Sequence, residues 1–295
     1  MEAATATRER EAPRAERGGG RRIGRRALDW LLNAYAGLAL LYLLVPISVI
    51  LVFSFNDPRG RFNFIWQEFS FDAWTDPFAV PGIGDALLTS VEIAVLSTLV
   101  ATILGTLTAL ALVRYEFSGR APINFFIFIP LATPEVVLGA ALLSLFLNAG
   151  SPALGFATIL IAHIMFNLSF VVVTVRSRLI GFDRSLEEAA QDLGATPWET
   201  FRLVTLPLIM PGVIAAALLA FALSIDDFVI TYFNSGSTIT FPVFIWGAVR
   251  VAVPPQIYVI ASMIFLFTLA MMLLTVWQQR RAERMAAVRP EPGEA

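Results

Sequence analysis

The sequence contains no cysteine, no lysine and a single histidine, His163. The absence of cysteine excludes a disulfide framework, a thiolate metal site and a cysteine nucleophile. A single histidine cannot form a metal site, and it leaves no second histidine from which to build a nucleophilic triad. Asn167 lies one helical turn after His163, so we interpret the histidine as a hydrogen-bonded helix contact. No segment matches G-x-x-x-x-G-K-[ST], which excludes a P-loop for ATP. The sequence therefore predicts no enzyme, catalytic residue, metal site or cofactor.

Charge is also scarce. Only 15% of the 295 residues are charged and 57% are hydrophobic, with a mean hydropathy of +0.72. Soluble domains carry about 25% charged residues, so this composition could not cover the surface of a soluble globule. The formal net charge of -2 argues against the basic face that nucleic acid requires. The composition predicts a protein whose partner is the lipid bilayer and not nucleic acid.

Six apolar stretches are long enough to cross a bilayer, which takes roughly 20 residues. They are residues 30–55, 86–113, 123–147, 153–175, 208–232 and 257–277. The runs are continuous and do not alternate with polar residues, which excludes a β-barrel. The first run is longer than the apolar core of a signal peptide, so we interpret it as an uncleaved anchor. We expect an all-α membrane protein with six transmembrane helices.

The arginines predict how these helices are oriented. All 21 basic residues are arginine, and on the six-span arrangement all but Arg59, Arg61 and Arg250 fall on one side. Because arginine favours cytoplasmic loops, both termini and the loop 176–207 are predicted to be cytoplasmic. Residues 1–29 form an Arg-rich tail with little to bury, which favours disorder. The transmembrane domain then covers 30–279, and 280–295 form a second cytoplasmic tail.

The loop 176–207 contains two sets of helix-end signals. Ser185 and Glu188 have the spacing of a capping box, which would begin a first helix. Gly194 stands where that helix would need a left-handed residue to end. Thr196, Pro197 and Glu199 repeat the starting signal, with proline in the first helical position. The loop is predicted to be a rigid helical hairpin whose second helix ends at Leu206-Pro207, before the fifth span.

The same loop resembles the EAA loop of ABC importer permeases. The matching residues are Glu188, Ala189, Ala190, Gly194, Val204, Leu206 and Pro207, with valine at a position where the family has isoleucine. In that family the loop is the coupling helix, which docks in a groove of a separate ATP-hydrolysing subunit. The resemblance assigns ATPase coupling to Glu188, Ala189, Ala190, Gly194 and Pro207. A helical hairpin with no partner is the alternative.

A more specific resemblance covers most of the chain. Residues 46–56, 170–183 and 223–229 are similar to the second permease subunit of spermidine/putrescine importers. The resemblance implies an inner-membrane importer with a second, homologous permease subunit, two copies of a cytoplasmic ABC ATPase and an extracytoplasmic substrate-binding protein. It implies a polyamine as cargo, and relatives for an organophosphonate, an opine or ferric iron leave other cargoes open. Anions would prefer a basic cavity, which weighs against them here.

Four acidic residues lie within the predicted spans: Glu92, Glu135, Asp226 and Asp227. A charge at a helix centre costs about 2.5–3.5 kcal/mol on insertion scales, so each residue requires a reason. Carboxylates facing a wet cavity would supply countercharge to ammonium groups. Adjacent residues of a helix diverge by about 100°, so at most one of Asp226 and Asp227 can face a pore squarely.

By the resemblance, substrate contact is assigned to Trp74, Glu135, Asp226 and Asp227. Glu135 follows Pro134, which is expected to break the third span and free backbone carbonyls. A protonated helix-packing carboxyl is the alternative for Glu135 and Glu92, and an interfacial anchor is the alternative for Trp74. For the whole chain the alternatives are a secondary transporter or channel, which leaves the hairpin unexplained, and a membrane scaffold, which would not need intramembrane acids.

Overall fold

A computed structural model describes residues 19–150, 153–181 and 183–287. Its long helices are α1 (Gly19–Phe53), α3 (Ile83–Arg114), α6 (Phe156–Ile180), α9 (Leu206–Ile225) and α12 (Pro255–Ala287). The shorter ones are α2 (Asp72–Thr75), α4 (Arg120–Ala132), α5 (Glu135–Asn148), α7 (Ser185–Asp192), α8 (Pro197–Thr200), α10 (Val229–Asn234) and α11 (Phe241–Ala248). The predicted all-α class is confirmed.

Helices α3, α6 and α9 pack together and form the centre of the fold. Small residues allow the close approach: Ala101, Ala216 and Ala220 are fully buried in the shared core. Gly105 of α3 lies so near α6 that an added Cβ would come within 2.6 Å of Val171 Cγ1. Small residues at helix crossings are typical of membrane bundles, where the packing of helices stabilises the association.

Four helical segments are long and apolar enough to cross a membrane within the described residues, and one bent pair could supply a fifth span. The four are Trp30–Phe53, Ile83–Arg114, Phe156–Ile180 and Pro197–Ile225. The predicted sixth span falls in α12, whose apolar part covers Pro255–Ala270. The structure thus supports a multi-pass helical protein, and the count of six spans remains a prediction.

Helix α1 begins at Gly19, inside the segment whose composition favoured disorder. Arginine, alanine and leucine are strong helix formers, so the membrane helix continues into the Arg-rich segment. Residues 1–18 of the predicted tail, and 288–295 of the second tail, lie outside the described residues. The span Trp30–Phe53 packs against α12, and none of its residues is buried within this chain.

The third predicted span is not one helix. Helices α4 and α5 meet at Thr133-Pro134 with a bend of 116°. Thr133 is extended there (φ -88°, ψ 132°), as expected of a residue that precedes proline. The predicted break at Pro134 is confirmed, so residues 123–147 are not one continuous helix, and their crossing of the membrane as one bent span remains a prediction.

The fifth predicted span differs at both ends. Helix α9 ends at Ile225, so the expectation of one helix to Tyr232 is wrong, and α10 begins only after Asp226, Asp227 and Phe228. At its start, α8 continues through a π-helical turn, Phe201–Thr205, directly into α9. The predicted end at Leu206-Pro207 is therefore also wrong. The Leu206 N–H donates to the Phe201 carbonyl five residues earlier, and this wider turn precedes Pro207, which has no N–H to donate.

Candidate functional site

The α7–α8 hairpin, residues 185–200, begins with a different cap from the predicted one. The Asp183 carboxylate accepts a hydrogen bond from the Ser185 N–H at 2.9 Å. This bond, with a further one to the Ser185 side chain, holds the pKa of the Asp183 carboxyl below its usual range. Ser185 is already the first residue of α7, so it lies inside the helix and not at its cap. The predicted Ser185–Glu188 capping box is therefore wrong.

The junction of the two helices agrees with the sequence. Gly194 has φ +89°, the left-handed conformation predicted for it. The Ala195 N–H bonds to the Ala190 carbonyl at 3.0 Å and the Gly194 N–H to the Gln191 carbonyl at 2.9 Å, which is a Schellman motif. Thr196 and Glu199 then form the predicted capping box, with Thr196 N–H donating to Glu199 Oε2 at 2.8 Å. The chain direction at this turn is set by hydrogen bonds on both sides of Gly194.

The hairpin presents apolar side chains to its surroundings. Leu193 is 91% exposed and Trp198 67%, and Leu203 in the π-helical turn that follows the hairpin is 70% exposed. Glu188 and Ala189 are also exposed, and no residue of α7 is buried. Large apolar side chains exposed on a polar hairpin are typical of a surface that contacts another protein.

Glu187 joins the hairpin to two membrane helices. Its Oε1 atom lies 2.7 Å from Arg114 Nη2, at the end of α3. The same oxygen accepts a hydrogen bond from Thr205 Oγ1, in the π-helical turn that precedes α9. The two side chains of the ion pair are only 11% and 17% exposed. Glu187 therefore links α7 to α3 and α9 through one carboxylate.

A second polar cluster lies where α9 gives way to α10. His163 of α6 is 3% exposed, and its Nδ1 lies 2.7 Å from Ser224 Oγ. Its Nε2 lies 2.9 Å from Thr231 Oγ1 and 3.3 Å from Asp227 Oδ2. The Ser224 hydroxyl also lies 3.0 Å from Ser97 Oγ of α3. The prediction that His163 is a hydrogen-bonded helix contact is confirmed.

Asp226 and Asp227 have different surroundings. The Asp227 side chain is 5% exposed and accepts hydrogen bonds from the Ile230 and Thr231 N–H groups at 3.3 and 2.8 Å. Asp227 thereby serves as an acidic cap for α10, where the helix dipole favours a negative charge. Asp226 is exposed. The two carboxylates diverge, and Asp226 is the one open to its surroundings.

Glu135 is exposed at the first position of α5, directly after the bend. Helix α5 packs on α10: a Cβ added to Gly139 would lie 2.9 Å from Phe233 Cδ2 and 3.4 Å from Ile230 Cα. Glu135 and Asp226 therefore flank the starts of two helices in contact. Glu92 is exposed part-way along α3.

Trp74 lies on a different part of the molecule. Its indole Nε1 donates to Ser54 Oγ at 3.2 Å, and its ring stacks on Phe55 with centroids 5.2 Å apart. These contacts attach α2 to the end of α1. The described contacts of Trp74 do not connect it with the acidic residues, so its role in substrate contact remains a prediction.

No role was predicted from the sequence for Glu187, Arg114 or Ser224. Glu187 and Glu188 are adjacent, and the EAA resemblance directed attention to the second of them. Ser224 precedes the acidic pair by two residues, where a hydroxyl among apolar residues is a weak signal. A partner across helices can be recognised only after the helices are packed.

A model of the family described as binding-protein-dependent transport system inner membrane component matches residues 101–284. This chain belongs to that family, so it is a multi-pass inner-membrane transport component and not an enzyme.

Two relatives of this chain are named as permease proteins of polyamine transport systems. The chain is 37% identical to the spermidine/putrescine transport system permease protein PotC of Haemophilus influenzae, covering 83% of this chain and 95% of the relative. It is 39% identical to the putrescine transport system permease protein PotI of Escherichia coli, covering 77% and 83%. Among solved structures, a bacterial ABC transporter that imports the acidic polysaccharide alginate aligns with a TM-score of 0.61 at 16% identity, over 90% of this chain and 99% of that one. The structural likeness supports the fold alone.

Proposed function

We propose that this chain is a permease subunit of an ATP-driven importer and forms half of the translocation pore for a polyamine such as putrescine or spermidine. The observation that carries the cargo assignment is the exposed carboxylate of Asp226 at the break after α9. Glu92 and Glu135 are further exposed acids on apolar helices. No described basic side chain forms an ion pair with any of the three. Unpaired carboxylates suit a cationic cargo, and the names of the PotC and PotI relatives agree with this chemistry.

The orientation follows from the distribution of arginine. We infer six spans with both termini and the α7–α8 hairpin in the cytoplasm, because arginine is concentrated on that side. The breaks before α5 and α10 then lie within the membrane, which is tolerated where irregular backbone lines a wet cavity. Glu135, Asp226 and Asp227 flank these breaks. We assign substrate contact to Glu135 and Asp226, a supporting role to Asp227, and retain Trp74 as a candidate at the outer mouth.

The hairpin is the proposed site of ATPase coupling. Glu188, Ala189, Ala190 and Gly194 lie in α7 and its terminal turn, and Pro207 lies in the first turn of α9. The exposed Leu193 and Trp198 supply an apolar contact for a soluble subunit. The importer would comprise this chain, a second homologous permease, two copies of a cytoplasmic ATPase and an extracytoplasmic binding protein. One structural relative is a transporter in complex with its periplasmic protein.

Transport by the complete complex tests the proposal. The chain is purified with its accompanying subunits, reconstituted in liposomes and supplied with ATP and the binding protein. Labelled putrescine and spermidine are compared with an organophosphonate, an opine and ferric iron. ATP-dependent uptake of a polyamine is expected. Uptake of one of the other solutes alone would refute the polyamine assignment, and polyamine uptake without ATP would favour a secondary transporter or channel.

A further inference from the structure

Four guanidinium groups line one cavity where the end of α3, the start of α4 and the end of α6 meet. The cavity has a volume of about 350 Å³. The described residues that line it are Val113, Arg114, Arg120, Arg176, Leu179, Ile180 and Arg184. None of them is acidic. The arginines come from three separate helices and the connection after α6, so the fold concentrates in one place charges that are distant in sequence.

The nearby acids do not balance this charge. Glu187 pairs with Arg114 at 2.7 Å. Glu116 lies 3.9 Å from Arg120, and its side chain is 95% exposed, so it contributes little. Arg176 is held in place by a neutral acceptor, with its Nη1 donating to Asn124 Oδ1 at 2.8 Å. The cavity therefore has an excess of positive charge. This charge is carried by guanidinium groups, which can bind the oxygens of a phosphate in pairs.

The rest of the surroundings are apolar and favour a lipid over a soluble anion. Ile180 is 67% exposed at the edge of the cavity, and Val113 and Leu179 complete its apolar lining. Tyr115 and Phe117, which follow α3, are also exposed. Exposed aromatic residues at the end of a membrane helix are typical of the headgroup level. A ligand here would contact arginine with one end and aliphatic surface with the other.

We propose that this cavity binds the phosphate group of an anionic phospholipid from the cytoplasmic leaflet. The orientation comes from the proposed function, but lipid binding does not depend on the cargo. The headgroup phosphate accepts hydrogen bonds from Arg120, Arg176 and Arg184, and its acyl chains lie along Ile180 and Val113. Because Arg114 also lines the cavity and pairs with Glu187, the bound lipid adjoins the connection between α3 and the α7–α8 hairpin.

Native mass spectrometry of the full chain, purified in detergent with its accompanying subunits, tests this site. The probes are phosphatidylglycerol, phosphatidylcholine and soluble glycerophosphoglycerol. Phosphatidylglycerol should bind most tightly. The double variant Arg120→Gln/Arg176→Gln should weaken its binding roughly 30-fold, since each arginine near a membrane surface contributes about a fivefold factor. Arg120→Lys/Arg176→Lys, which keeps both charges, should retain most of the binding.

Arg202→Gln is the matched control, because Arg202 is exposed and does not line the cavity. If the double variant does not fold, Arg184→Gln replaces it, since Arg184 is exposed and its guanidinium makes a long hydrogen bond to the Arg114 carbonyl, at 3.5 Å. Equal loss in Arg202→Gln would contradict the site, as would equal binding of phosphatidylcholine. Tight binding of glycerophosphoglycerol would assign the cavity to a soluble phosphate compound. Unchanged lipid binding with loss of the ATPase subunit would assign it to a protein contact. All of these results come from binding measurements and not from transport. A failure of the lipid site can therefore be distinguished from a failure of the cargo assignment.

Discussion

The Glu187 carboxylate lies 2.7 Å from the Arg114 guanidinium and ties the α7–α8 hairpin to the end of α3. Thr205 donates to the same oxygen, so α9 is attached at the same point. The hairpin is therefore connected to two helices of the central core through one carboxylate. The connection is partly buried, so removal of one partner would leave the other charge unpaired away from water, which is costly.

Replacement of Glu187 by glutamine should reduce the amount of cargo moved per ATP hydrolysed. A hydrogen bond to a charged group contributes about 1.5–3 kcal/mol to the free energy of unfolding. A double-mutant cycle with Arg114→Gln should give an interaction free energy of this order. Uptake and ATP hydrolysis are measured on the same proteoliposomes. Asp192→Asn, which removes an exposed charge from the same helix, is the control. Equal transport ratios in Glu187→Gln and the control would show that the link carries no motion.

Gly194→Val should uncouple ATP hydrolysis from uptake without preventing membrane insertion. The left-handed conformation at φ +89° costs a β-branched residue about 1–2 kcal/mol or more, which would reorient α8 relative to α7. Gly60→Val is a matched control, because Gly60 has open space around it and no positive φ. Insertion is followed by membrane fractionation. Normal uptake by Gly194→Val would contradict the coupling assignment.

Asp226→Asn should raise the KM for polyamine uptake by about tenfold or more, because it removes one charged acceptor for an ammonium group. Asp226→Glu keeps the charge and should restore a substantial part of the uptake. Initial rates over a range of putrescine concentrations give KM and kcat separately. If Asp226→Asn left KM unchanged, the exposed carboxylate would have no part in cargo binding.

Thr231→Val should destabilise the protein by about 0.6–1.7 kcal/mol, the usual range for polar contacts between membrane helices. The hydroxyl lies 2.9 Å from both His163 Nε2 and Asp227 Oδ2, so its loss weakens the cluster at the start of α10. Thr268→Val makes the same change at an exposed helical position and should have little effect. The thermal unfolding midpoint in detergent provides the comparison, and equal midpoints would mean that the cluster does not stabilise the break.

Local signals in the sequence predicted local structure well. Gly194, the Thr196–Glu199 cap and the break at Pro134 each depend on neighbours within a few residues, and all three are confirmed. The sequence did not predict the end of α9 at Ile225, because residues 208–232 are mostly apolar and read as one continuous helix. The break there is stabilised by His163, which comes from a distant part of the chain.

In the candidate site, too, the features set by nearby residues were mostly predicted and those set by distant contacts were not. Asp226 and Asp227 were predicted together, from their place within a predicted span and from the family resemblance, and only packing separates the exposed carboxylate from the one that caps α10. Glu187 was not assigned because its partners Arg114 and Thr205 lie on other elements. The Ser185–Glu188 box failed by a small shift in register, since Asp183 supplies the cap instead.

Helices α8 and α9 are joined by a continuous helical turn, and this continuity has a mechanical consequence. The helical segment Pro197–Ile225 has 29 residues, which at 1.5 Å per residue makes a rod of about 43 Å. Trp198 stands near one end, and Asp226 follows the other. A tilt of such a rod about a point near its middle displaces its two ends in opposite directions. A push on the hairpin would therefore move the end of the segment next to Asp226 in the opposite direction.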